Sequence, residues 1–123
     1  MEDFDWVSAR KRCSPGSLFE LLRLQVQKDV ELINGSIKEE RDHFQFVQNE
    51  KGFSVILPTD PLRYGVTFKL AGEKILFERK NKLIFEATLT LNNDGECRLK
   101  IKGEEREFWQ ARRMALEDIF FPA

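Results

Sequence analysis

The spacing of hydrophobic positions changes twice along this chain. Between residues 17 and 35 apolar side chains recur every three or four positions, which is typical of an amphipathic helix. From 43 to 102 they alternate with polar side chains, which is typical of strands with one buried face. From 104 to 121 the helical period returns. The pattern therefore predicts a helix, a set of strands and a second helix.

Residues typical of helix ends indicate where the first predicted helix begins and stops. Ser17 and Glu20 have the spacing of a capping box, while Ser14 before Pro15 offers a competing start. Asn34–Gly35 predicts a left-handed stop, since glycine tolerates that conformation. The predicted apolar stripe consists of Leu18, Phe19, Leu21, Leu22, Val26, Val30 and Ile33.

The alternating region predicts six strands, and three short turns predict their register. An Asn93–Gly95 loop places Leu91 opposite Cys97, so that both apolar sets share one face. A Gly72–Glu73 turn and a Lys80–Lys82 loop act in the same way on the preceding strands. The other pairs expected across these turns are Leu89–Leu99, Ala87–Ile101, Leu70–Ile75, Phe68–Phe77 and Phe77–Phe85. Connections this short predict an antiparallel meander, because parallel strands need long crossovers.

The second predicted helix begins with acidic residues and ends at Pro122. Glu104, Glu105 and Glu107 suit its first turn, where the helix dipole favours negative charge. We therefore predict a single α+β domain over residues 1–123. It consists of a six-stranded antiparallel meander with one face covered by the N-terminal and C-terminal amphipathic helices. Residues 1–16 form a short helical or irregular lead-in, with Asp5 as a candidate N-cap.

Composition and charge narrow the classes of function. The 123 residues are 41% hydrophobic and 33% charged, with a net charge of −1, which does not favour a dedicated nucleic-acid binder. A basic strip on the polar face is interrupted by glutamates and lacks aromatic residues that would stack on bases. Its members are Lys82, Arg98, Lys100 and Lys102.

The chain offers few residues for catalysis or metal binding. His43 is the one histidine, and no nucleophile or orienting acid is spaced to serve it. Cys97 is interpreted as a small buried residue and Cys13 as an inert thiol beside cationic neighbours. We therefore predict no catalytic, metal or cofactor site, and a chain that is not an enzyme.

The two cysteines also bear on the compartment. Two are too few for a disulfide-dense secreted scaffold, so we predict a reducing cytoplasm. The acidic start has no apolar core of a secretory signal, and no stretch is long and apolar enough for a membrane span.

The first functional hypothesis is a non-enzymatic protein-interaction or self-association module, including a homodimer. Its edge strand, "HFQFVQ", can accept a strand from a partner. Three bulky residues at the end of the last helix span more than one helical face, so they cannot all pack on one sheet. The candidate interaction residues are Trp109, Phe120, Phe121, Phe44 and Phe46.

The alternative hypothesis is a small-molecule or lipid-binding domain. A curved sheet gripped by a helix can leave an apolar cavity for a small apolar ligand. The candidate cavity-lining residues are Phe53, Tyr64, Phe68, Phe77 and Phe85. The competing interpretation is that these rings fill the space completely, as protein cores normally do.

Overall fold

A computed structural model describes residues 3–122. Met1, Glu2 and Ala123, which the predicted 1–123 domain includes, lie outside the described residues. The fold is α+β, with an antiparallel sheet between N-terminal and C-terminal helices, as the sequence predicts. In chain order its elements are α1 (Trp6–Arg12), α2 (Pro15–Asn34), β1 (Gln45–Asn49), β2 (Gly52–Ile56), β3 (Gly65–Ala71), β4 (Lys74–Arg79), β5 (Lys82–Leu91), β6 (Cys97–Ile101), β7 (Glu104–Arg106) and α3 (Phe108–Phe120). A single 3₁₀ turn, Glu40–Asp42, connects α2 to β1.

The sheet has seven strands where the sequence predicts six. Each strand pairs antiparallel with the next in the order β1 to β7. The additional strand β7 exists because Lys102 and Gly103 both have positive φ, 53° and 80°, as in the tight turns that join hairpin strands. The chain therefore turns back on β6, and Glu104 pairs with Ile101. Placing the acidic run in the first turn of the last helix was wrong.

The three predicted turns give the predicted pairings. Leu91 lies opposite Cys97 and Phe68 opposite Phe77, as predicted. The predicted pairs Leu70–Ile75, Leu89–Leu99 and Ala87–Ile101 are also present. The turn between β4 and β5 is shorter than predicted, since Arg79 already pairs with Lys82. A shift in register between Phe77 and Glu78 compensates, and Phe77 still faces Phe85.

Helix α2 uses the competing start. Ser14 is its N-cap and Pro15 its first residue, while Glu20 is held by Arg23 in an ion pair on the same helix, so the predicted Ser17 capping box was wrong. The predicted left-handed stop was also wrong, since Gly35 has φ −61°. At the end of the helix, the Asn34 side chain instead forms two hydrogen bonds with the backbone of Phe44. Its amide oxygen accepts from the Phe44 backbone N–H (2.8 Å), and its amide nitrogen donates to the Phe44 carbonyl (2.9 Å).

Helix α3 begins at Phe108, with Glu107 as its N-cap. The Glu107 backbone N–H donates to the Gln110 side chain at 2.8 Å, and the Glu107 carboxylate accepts from the backbone in return. The buried positions of α3 are Ala111, Ala115, Leu116 and Ile119. Their small and branched side chains let α3 lie close to the sheet beside α2.

A disulfide joins the start of the chain to the sheet. Cys13, which follows α1, is bonded to Cys97 at the start of β6, with 5.5 Å between their Cα atoms. Asp5 caps α1 as predicted, because its carboxylate accepts from the Ser8 backbone N–H and hydroxyl. The interpretation of the two cysteines as separate thiols was wrong. The predicted lead-in 1–16 thus contains a capped helix, the disulfide and the start of α2.

Candidate functional site

Four of the five residues predicted to line a cavity form a ladder of contacting aromatic rings. Phe53, Phe68 and Phe77 are fully buried. The distance between ring centroids is 4.7 Å from Phe53 to Phe68 and 5.3 Å from Phe68 to Phe77. Phe85 continues the ladder, with its ring centroid 4.2 Å from that of Phe77. Tyr64 is half-buried at the margin of the core, beside the Arg63 guanidinium. The rings of Phe53 and Phe68, and those of Phe77 and Phe85, are stacked, whereas Phe68 meets Phe77 edge to face. These phenylalanines therefore belong to a packed core.

Three of the five predicted interaction residues, Phe44, Phe46 and Phe120, pack in or against the same core. Phe44 is 7% exposed and meets the ring of Phe120 edge-on, at 4.9 Å between centroids. Phe46 is half-buried and stacks on Phe53 at 5.4 Å. Strand β1 carries Phe46 and is a terminal strand of the sheet, as the edge-strand hypothesis requires.

Phe120 also lines a groove, together with the other two interaction residues. Trp109, Phe120 and Phe121 lie along a surface groove between α2 and α3, with a volume of about 530 Å³. Leu32 and Ile33 supply its α2 wall. Trp109 is 50% exposed, Leu32 66% and Phe121 68%. Apolar side chains therefore form much of this concave surface. Single exposed apolar residues are ordinary on a protein surface, but a group of them in one groove is typical of a binding site.

A polar bridge between the two helices fixes the shape of this groove. Arg112 on α3 donates from Nε to the Asp29 carboxylate at 2.7 Å and from Nη1 to the Gln25 side chain at 3.0 Å. The Arg112 and Asp29 side chains are less than one-quarter exposed, so the pair is shielded from solvent more than surface ion pairs are. Charge-assisted bonds to two successive turns of α2 hold the helices at a set separation.

The orientation of Trp109 is also fixed. Its indole N–H donates to the Glu107 carboxylate at 2.8 Å, and the same glutamate caps α3. Because its polar atom already has a partner, the ring presents apolar surface in a set orientation. A rigid aromatic side chain of this kind is common at the centre of protein interfaces.

Helix α2 has further exposed leucines that the sequence pattern did not single out. Leu21 and Leu24 are 41% and 51% exposed. The inclusion of Leu21 in the buried stripe was wrong, because Leu22, Val26 and Val30 already form the row that faces the core. Helical spacing places Leu21 and Leu24 on the same outer side of α2 as Leu32, about two to three turns before it. We call this surface, Leu21, Leu24, Leu32, Trp109 and Phe121, the α2–α3 face.

His43, considered above for catalysis, and Arg98 of the basic strip each contact other residues of the chain. His43 Nε2 lies 2.8 Å from the Ile37 carbonyl oxygen, and Arg98 of the basic strip forms ion pairs with Glu96 and Glu107. Within residues 3–122 no group of three or more His, Cys, Asp or Glu is arranged to hold a metal ion. Over the same part of the chain no helix has the length and apolar character to cross a bilayer.

Comparison of the chain with protein-family models, with curated protein sequences and with solved structures gives no significant match. The geometry of the α2–α3 face therefore provides the basis for assigning a function.

Proposed function

We propose that this protein is a non-enzymatic interaction module that binds another polypeptide through the α2–α3 face. The observation that carries the proposal is a surface groove in which Leu32, Trp109 and Phe121 are each at least half exposed. An exposed surface of this kind costs free energy in water, and a partner's apolar side chains would remove it from solvent.

The polar groups around the groove suit a protein partner. Arg113 and Glu117 form an exposed ion pair on α3 beside the groove, and Arg112 and Asp29 form the shielded pair between the helices. An aromatic and aliphatic centre with a charged rim is the ordinary composition of a protein interface. An amphipathic helix laid between α2 and α3 would place its apolar side chains in such a groove.

A small apolar ligand is the second candidate, and the volume of the groove favours it. About 530 Å³ lies within the range of small-molecule sites. This ligand site differs in place from the one that the sequence predicts, since the predicted rings pack against one another on the inner side of the helices.

Site-specific photo-crosslinking in the cells that produce the protein tests both candidates. A photoreactive phenylalanine analogue replaces Trp109, and in a matched control it replaces Leu62, which is 61% exposed on the loop before β3. We expect a polypeptide adduct from position 109 that is missing from position 62. An adduct of a few hundred daltons would identify the small ligand instead. Equal labelling at the two positions, or none at 109, would contradict the proposal.

The edge strand β1 provides a separate surface for the same class of function. Gln45, Val47, Gln48 and Asn49 of this strand are exposed, and the strand lies at one end of the sheet. A partner that adds a strand would shift the backbone amides of residues 43–48 in an NMR titration. A partner on the α2–α3 face would shift those of 29–36 and 109–121.

The disulfide bears on the compartment in which such a partner is met. Disulfides persist in oxidising compartments and are rare in the reducing cytosol, so Cys13–Cys97 favours an oxidising compartment over the predicted cytoplasm. Trapping free thiols with an alkylating reagent at the moment of lysis checks this. An unlabelled chain supports the oxidising compartment, and two labels per chain support the cytoplasm.

A further inference from the structure

We propose that residues 82–86 of β5 bind an extended, acidic polypeptide segment, which adds a strand to the sheet at that point. None of these residues lines the groove between α2 and α3, so the surface is distinct from the α2–α3 face. The inference therefore goes beyond the proposed function, and either one can fail without the other.

The sheet has an open edge between β5 and β6, because β6 ends before β5 does. Strand β5 extends over ten residues, and its first half pairs with β4 along one side. On the other side β6 pairs only with residues 87–91, since the chain turns back at Lys102 and Gly103 to form β7. Residues 82–86 thus have a strand beside them on one side only, and we call them the β5 open edge.

The backbone of the β5 open edge has the groups that strand addition requires. In the described part of the chain, it forms no backbone hydrogen bond to any element other than β4. A row of free N–H and C=O groups is the template on which an extended chain adds a strand. Five residues offer about 17 Å of such edge, so a segment of similar length would occupy the place that a longer β6 would have taken.

Two aliphatic side chains on the β5 open edge favour docking over simple protection. Leu83 is 53% exposed and Ile84 41%. Lysines on an edge strand often prevent unwanted pairing, but exposed aliphatic residues do not serve that purpose. An added strand would remove Leu83 and Ile84 from water, which lowers the free energy of the bound state.

Unpaired positive charge lies at both ends of the β5 open edge. Lys82 begins it, and Lys80 is in the tight turn just before it. Lys102 follows Ile101, the residue that pairs with Ala87, so it lies at the other end. All three lysines are exposed, and none forms an ion pair with another residue between 3 and 122.

The carboxylates close to this edge in the sheet register already have cationic partners. They form the ion pairs Glu78–Lys69, Glu86–Lys74 and Glu104–Arg106. The lysine charges are therefore available to a ligand, and they select acidic side chains by charge complementarity.

The same lysines could attract the phosphates of a nucleic acid, but the surrounding side chains do not suit one. Phe85 is the aromatic residue of the β5 open edge, and it is 6% exposed in the core. No ring of this edge is therefore free to stack on a base. The aliphatic side chains and the free backbone groups both fit an extended polypeptide better.

An NMR titration of the full chain tests the inference with a defined probe. The probe is a capped peptide of about eight residues in which glutamate and valine alternate, long enough to cover the edge. We expect shifts of the amides of residues 82–86 and 100–103, with a dissociation constant of about 0.1 to 1 mM because a flexible peptide is ordered on binding. Hydrogen exchange at amides of 82–86 should slow in the complex, since new backbone hydrogen bonds form there.

Charge reversal tests the part played by the lysines. Lys82→Glu combined with Lys102→Glu should raise the dissociation constant about tenfold or more. Lys28→Glu combined with Lys38→Glu is the matched control, because it changes the net charge equally at two exposed lysines away from the sheet edge. The control should leave the dissociation constant within about twofold, since screening limits the effect of distant charges.

Two altered peptides separate strand addition from charge attraction. The same peptide with all its central amides N-methylated keeps its charge but cannot donate backbone hydrogen bonds, and we expect it not to bind. A peptide in which lysine replaces glutamate should bind at least about tenfold more weakly. Undiminished binding of either peptide overturns the inference.

The position of the shifts distinguishes this inference from the proposed function. Shifts confined to residues 43–48, or to 29–36 and 109–121, would overturn the β5 open edge and retain a surface of the interaction module. Tighter binding of a single-stranded oligonucleotide than of the acidic peptide, lost on charge reversal, would assign the lysines to nucleic acid and also overturn it. A polypeptide adduct from position 109 bears on the α2–α3 face alone.

Discussion

Breaking the Cys13–Cys97 bond is the perturbation that the structure allows to be worked out most fully. The bond joins residues 84 positions apart, between the end of α1 and the first residue of β6. Reduction leaves the folded chain with the same helices and strands, because each has hydrogen bonds of its own. The larger effect is on the unfolded chain, which gains the freedom that the crosslink removed.

The length of the closed loop sets the size of this effect. For 84 residues the chain-entropy relation gives about 4.5 kcal/mol at 25 °C. That is a large part of the roughly 5 to 15 kcal/mol that stabilises an ordinary domain. At about 4 °C per kcal/mol for a domain of this size, the melting temperature should fall by about 15 to 20 °C.

Urea unfolding followed by circular dichroism, with and without reductant, measures the difference in the free energy of unfolding. The Cys13→Ala/Cys97→Ala double variant separates the crosslink from the chemistry of the reductant. It should match the reduced protein within about 1 kcal/mol, the residual being the packing of the 1% exposed Cys13 side chain. A loss of less than about 1 kcal/mol on reduction would refute the reasoning, since the bond would then not restrict the unfolded chain.

Three further predictions concern the core, the helix pair and a helix cap. Phe77→Ala should cost about 3 to 5 kcal/mol in urea unfolding, whereas Phe121→Ala should cost less than about 0.5 kcal/mol. A similar loss from both would contradict the burial of one and the 68% exposure of the other. Arg112→Ala should cost about 2 kcal/mol by the same assay, because its carboxylate and amide partners on α2 are left shielded and unpaired. In NMR titrations the pKa of Asp5 should lie below its ordinary value, mainly because the Ser8 hydroxyl and then the Ser8 backbone N–H donate to it. The stability that this cap contributes is therefore present at pH values above the pKa of Asp5 in the unfolded chain, and it is lost as the pH falls through the lower pKa of Asp5 in the folded chain. Ser8→Ala should raise the pKa of Asp5 in the folded chain.

The sheet was predictable wherever a turn fixed the register. The Asn93–Gly95 loop aligned Leu91 with Cys97 because a one-residue slip would have moved every apolar side chain to the wet face. Strand β7 was missed because its acidic sequence suits a helix start as well as an exposed edge. The turn before it has positive φ at both Lys102 and Gly103, and a lysine before the glycine predicts such a turn less clearly than an asparagine would.

The candidate site was predictable only in part. The bulky run at the end of α3 indicated that its three residues could not all pack on the sheet, and Phe121 is the exposed one. Leu21 was wrongly included in the buried stripe, because periodicity predicts which side of a helix is apolar but not how much of that side the neighbouring elements cover. The partner of Cys13 depended on where α1 lies against the sheet, which sequence spacing does not specify.

The nearest-neighbour order of the strands has a consequence for how the chain folds during synthesis. Each hairpin can close as soon as its second strand has left the ribosome, because the loops between paired strands are short. Helix α2 emerges before the strands that it packs against, including β3 and β4. Its core-facing residues, Leu22, Val26 and Val30, therefore stay exposed to solvent until those hairpins have formed. Cys13 can meet Cys97 only after most of the chain has been made. The crosslink therefore forms late, and it secures a fold that local pairing has already built.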